Sequence, residues 1–116
     1  MSRYTGSFLL EVQADNPLSL LAEALRGCEL HVVYRSDDYL MAREVPGAVP
    51  PSRFHRLVTA ELLLERYPNR QVRVQVVAKN EELSLHQPNH CQQVFEKIRR
   101  AISNSHHWAL LELAAS

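Results

Sequence analysis

The densest group of chemically capable side chains is His86-Gln87-Pro88-Asn89-His90-Cys91. Imidazole and thiolate bind zinc, copper or nickel, so His86, His90 and Cys91 are the candidate metal ligands. A metal- or ligand-binding enzyme would use the same three. Local signals oppose a tight site. Pro88 and a helix cap at Asn89 leave His86 before the helix, so the two histidines share no helical face. Cys91 belongs to that helix's apolar stripe. Neighbouring helix positions point about 100° apart, so His90 and Cys91 make a poor catalytic dyad. The plainer reading is a loop histidine, an exposed first-turn histidine and a small buried thiol.

Other groups are less specific. His106-His107 beside Trp108 could bind metal or stack on a ligand, but also suit a docked tail whose Trp fills a groove. Asp37-Asp38 could hold a hard cation, yet a turn uses such residues anyway and no calcium loop surrounds them. No serine stands in a nucleophile elbow. Three glycines leave no phosphate-cradling loop. No catalytic residue and no cofactor is therefore expected.

Basic residues gather in two places. Lys97, Arg99 and Arg100 share one helix side, and Arg53, Arg56, Arg66, Arg70 and Arg73 lie around a hairpin. The plainer reading is a solvated helix face, since amphipathic helices put charges outward; otherwise they suit acidic protein partners or phosphate. An RNA-linked accessory role is weaker, because no recognition motif or base-stacking aromatic set accompanies them.

These residues must be positioned by one small domain. The chain has 116 residues, 46% of them hydrophobic, and its 13 basic residues match its 13 acidic ones. That composition opposes disorder and charge-driven nucleic-acid binding. Cys28 and Cys91 do not make a disulfide scaffold. No signal peptide is visible, and no apolar run approaches the roughly 20 residues that span a bilayer. A cytoplasmic protein without membrane insertion is expected.

Residues 4–13 read as a strand with Phe8, Leu10 and Val12 on one face. Asn16, Pro17 and Gly27 mark the cap, first position and left-handed stop of a helix. Residues 29–35 and 39–45 form two strands, and the prolines of 46–51 break the chain. Residues 54–67 carry helix-forming types, but their polar positions split into two groups on a helical wheel. As a strand, Val58, Ala60, Leu62 and Leu64 share a face, matching Val72, Val74, Val76 and Ala78 across a turn at Pro68-Asn69. A β-hairpin follows, with Glu65 against Arg73 or Glu61 against Lys79 according to register. Leu83-Ser84-Leu85 resumes the strand briefly. A second helix starts at Asn89, with Cys91, Val94, Phe95, Ile98 and Ile102 on its apolar face.

The fold expected is α+β: a mainly antiparallel sheet of four to five strands, two helices on one face, order β-α-β-β-β-β-α. Residues 1–105 form the domain, and 106–116 an apolar tail that docks on it, with undecided secondary structure.

Two strings, Leu57-Val58-Thr59-Ala60-Glu61-Leu62-Leu63-Leu64-Glu65 and Val76-Val77-Ala78-Lys79-Asn80-Glu81-Glu82-Leu83-Ser84-Leu85, run on into Asn89-His90-Cys91-Gln92-Gln93-Val94-Phe95. They resemble segments of short uncharacterised cyanobacterial proteins. The resemblance implies a cytosolic protein of a photosynthetic bacterium, and brings no activity or site with it.

The function expected is a non-enzymatic interaction or regulatory role. The contact surfaces would be a sheet edge, the free sheet face or the tail. Trp108, Leu110, Leu111, Arg70, Arg73, Lys97, Arg99 and Arg100 are the candidate partner-binding residues, with a protein partner or a second copy as occupant.

Overall fold

A computed structural model describes residues 1–45, 47, 56–85 and 87–115. The elements are β1 (Ser2–Val12), α1 (Pro17–Gly27), β2 (Leu30–Arg35), β3 (Tyr39–Glu44), β4 (Thr59–Tyr67), β5 (Gln71–Asn80), α2 (His90–Ser103) and β6 (Trp108–Ala115). The strands form one antiparallel sheet in the order β2-β3-β4-β5-β1-β6. The α+β class and antiparallel sheet agree with the sequence reading. The strand count is corrected from four or five to six, because the tail joins the sheet as β6.

Alternation fixes which face is buried. Phe8 and Leu10 of β1, Val74 and Val76 of β5, Leu62 of β4 and Leu40 of β3 are almost fully inaccessible. They meet Leu18, Leu21 and Leu25 of α1 and Val94, Ile98 and Ile102 of α2 in one core. Helix α1 lies over β2 and β3, and α2 over β1 and β5. Gly6 sits inside β1, where a Cβ would come within 3.1 Å of the Phe95 ring. Its missing side chain lets α2 settle close to the sheet.

Residues 59–67 are strand, so pairing overrides helix propensity there. The turn holds Asn69 and Arg70 at φ 65° and 62°. Arg70 is thereby committed to structure: its carbonyl accepts from Val12 N at 2.9 Å, and its Nη1 donates to the Gln13 carbonyl at 2.7 Å. The register sets Glu65 opposite Arg73. The close ion pair is instead the diagonal one, Lys79 Nζ to Glu61 at 2.6 Å.

Two local expectations are corrected. The left-handed residue after α1 is Glu29, φ 65°, while no glycine has positive φ. Bonds from Cys28 N to the Leu25 carbonyl and from Glu29 N to the Arg26 carbonyl close the helix two residues later than a left-handed Gly27 would. Residues 83–85 are not strand; β5 ends at Asn80, and Leu83 and Leu85 are exposed. The helix caps match the sequence: Asn16 accepts from Ser19 N, and Asn89 from Gln92 N.

Bulges explain where the period-two signal fades. β2 slips against β3 between Val32 and Tyr34. The slip turns Tyr34 to the open face beside Tyr39, ring centroids 5.8 Å apart, and sends Arg35 to the start of α1. β6 slips between its Leu10 and Leu9 partners, leaving Leu111 as the extra residue. No described helix is long and apolar enough to cross a membrane.

Candidate functional site

The residues singled out in the sequence come to rest in three places. The first is a polar row that closes the core where α2 begins. Ser2, Glu44 and Asn80 occupy terminal helix-facing positions of β1, β3 and β5, where alternation would place another apolar side chain. Glu82 lies beside them and is 3% exposed. Its carboxylate accepts from His90 N at 2.9 Å, Cys91 N at 3.3 Å and Asn80 Nδ2 at 3.1 Å, with Arg56 Nε 4.0 Å away. A carboxylate at a helix N-terminus satisfies orphan N–H groups and complements the helix dipole.

Glu44 holds His90. Its carboxylate takes His90 Nε2 at 2.8 Å and Val58 N at 2.9 Å. His90 is thus half-buried and paired rather than an exposed first-turn residue. Cys91 is fully buried, with its thiol 3.8 Å from the Ser2 carbonyl. Burial, then the charges of Glu82 and Glu44, push that thiol up to about 12. Metal ligation and nucleophilic attack both need the thiolate, which this setting opposes.

His90 and Cys91 therefore share a helical turn but serve different layers. His86 lies outside the described residues, as does Arg53. Among the described residues no group of three or more His, Cys, Asp or Glu is arranged to hold a metal. What this arrangement does chemically is lock the start of α2 onto the ends of β1, β3 and β5. Sequence reading missed Ser2, Glu44, Asn80 and Glu82. The available signal was polar residues in phase with apolar ones, as in Leu40-Ala42-Glu44 and Val76-Ala78-Asn80.

The second place is the outer side of α2. Arg99 pairs with Glu96 at 2.8 Å. Lys97 and Arg100 have no carboxylate partner among the described residues, and both line a groove between α1 and α2.

The third place is the β6 edge. Trp108 is 8% exposed and its Nε1 donates to the Ile102 carbonyl at 2.7 Å. Leu110 packs partly on the core. Leu111 and Leu113 remain 44% and 43% exposed. Leu113 stands opposite Phe8, on the helix-facing side, yet neither helix packs extensively over β6. Among the described residues no strand lies beside the outer edge of β6. Its single charged residue, Glu112, lies opposite Leu9 and 3.9 Å from Arg73 on the open face. Arg73 also donates to Ser7 Oγ at 3.0 Å.

The open sheet face is less uniform. Tyr39, Leu63, Met41 and Val77 are interleaved there with the Glu61–Lys79 pair. The Lys79 hydrogen bond holds the Glu61 carboxyl below its usual value, against the opposing effect of burial. Polar interruption makes that face a poorer apolar docking surface than the β6 edge.

Comparison with models of known protein families and with curated proteins finds no match, so the functional reading rests on this geometry.

Proposed function

We propose that this chain is a non-enzymatic interaction module, acting in the cytosol, that binds a protein partner by strand addition to the outer edge of β6. The observation carrying this reading is an eight-residue edge strand with one charged residue and two leucines near half exposure. Natural edges are commonly blunted by lysine, proline, brevity or a bulge; β6 has no lysine or proline and runs eight residues, with one bulge at Leu111. The opposite edge, β2, is shorter at six residues, is also bulged, and carries His31 and Arg35 within the strand.

An added strand would gain main-chain hydrogen bonds from β6 and specificity from alternate side chains. The uncovered ledge at Leu113, beside partly buried Leu110, favours a segment with apolar residues at every second position. A second copy pairing through its own β6 meets the same description.

The test compares wild-type protein with the double variant Leu111→Lys, Leu113→Lys. Native mass spectrometry and affinity capture from the source cytosol should give a complex with wild type and lose it with the double variant. Equal complex formation by both proteins, or none by wild type, overturns the reading.

A further inference from the structure

We propose that the groove between α1 and α2 binds a small organic anion with an apolar body, its charged head held by Lys97 and Arg100. The groove has a volume of about 510 Å³, within the roughly 300–1,000 Å³ typical of small-molecule sites. Its floor is apolar: Leu20 and Ala24 of α1 face Ala101 of α2, all only partly buried. Its rim is cationic. Lys97 and Arg100 lie one helical turn apart, and His106 and His107 close one end.

Charge complementarity names the ligand class. Exposed helix cations can pair with acids three or four residues away, as Arg99 does with Glu96. Lys97 and Arg100 have no such partner among the described residues, and Glu23 is the only carboxylate lining the groove. The C-terminal end of α1 would repel an anion. That repulsion is reduced here, because the Leu25 and Arg26 carbonyls already accept from Cys28 N and Glu29 N.

A nucleic acid fits less well. It needs a tract of cations and aromatic faces for its bases, whereas this groove offers two permanent positive charges, one carboxylate at Glu23, and no aromatic ring apart from imidazole. An alkyl or aryl chain on the alanine-leucine floor, with a carboxylate or phosphate beside Lys97 and Arg100, matches the apolar floor and the cationic pair. Guanidinium favours a two-pronged bond to either head group. The site shares no residue with the β6 edge and stands independently of it.

The experiment is a titration of ¹⁵N-labelled full-length protein with octanoate, octyl phosphate, octanol and inorganic phosphate. Octanoate or octyl phosphate should shift the amides of Ala24, Cys28 and Ala101 saturably, and the tighter of the two identifies the head group. Octanol and inorganic phosphate should bind at least about tenfold more weakly. The double variant Lys97→Gln, Arg100→Gln should lose about tenfold in affinity, while Arg99→Gln retains it. Three results overturn the proposal: neither amphipathic anion moves these amides, octanol binds as tightly as they do, or the double variant binds unchanged.

Discussion

The indole of Trp108 closes the C-terminal end of α2: its Nε1 donates to the Ile102 carbonyl at 2.7 Å. The last four carbonyls of a helix lack intrahelical partners. Asn104 N satisfies that of Arg100, and Trp108 satisfies that of Ile102. One side chain thus finishes a helix and fixes where the edge strand begins. Leu111 can be exposed beside it because Trp108 supplies the anchorage.

Trp108→Phe keeps an aromatic ring in the core but removes the donor. A buried carbonyl left without its partner costs about 1–3 kcal/mol. Urea unfolding should show a loss of that size, and hydrogen exchange should quicken in β6 more than in β5. An unchanged midpoint would separate the indole bond from the placement of β6.

The two cysteines should differ in reactivity. Burial raises both thiols. Lys97 and Arg100 oppose the rise at Cys28, whereas Glu82 and Glu44 add to it at Cys91. Iodoacetamide at neutral pH should therefore label Cys28 first and Cys91 only after unfolding, as peptide mapping would reveal. Equal rates in urea would confirm that the difference belongs to the fold. Faster labelling of native Cys91 would contradict the packing described.

Acid stability should register Glu61. Its folded pKa lies below the ordinary value of 4.5, principally through the Lys79 hydrogen bond. A carboxyl lowered on folding stabilises above its unfolded pKa, and that contribution fades as pH falls through the folded value. Glu61→Gln should lower stability at pH 7 and flatten the decline below pH 4.5. The pair is partly solvated, with side chains 39% and 21% exposed, so the effect should be modest. Chemical denaturation of both proteins across that range measures it.

The hairpin was legible because two alternating strings explained each other: Ala60, Leu62 and Leu64 match Ala78, Val76 and Val74 in the observed register. The helix starts were legible because Asn16 and Asn89 cap by local bonds. β6 was not, since the extra residue Leu111 breaks the period between Leu110 and Leu113. The polar row was hidden for another reason. Ser2 reaches Glu82 and Asn89 across 80 and 87 positions of sequence. Each looks like an ordinary strand-end or turn residue until the sheet brings them together. Trp108, one of the expected contact residues and also read as filling a groove, is buried and anchors the edge.

The β6 edge is tested most directly by photocrosslinking in the source cells, with a benzophenone amino acid in place of Leu111 and, as control, of Asp37 in the β2–β3 turn. Position 111 should give a discrete protein adduct, and position 37 none. Mass spectrometry should place the attachment in an extended segment with alternating apolar residues, on a partner protein or on β6 of a second copy. No adduct from position 111 above the control, or attachment to no extended segment, would contradict strand addition at β6.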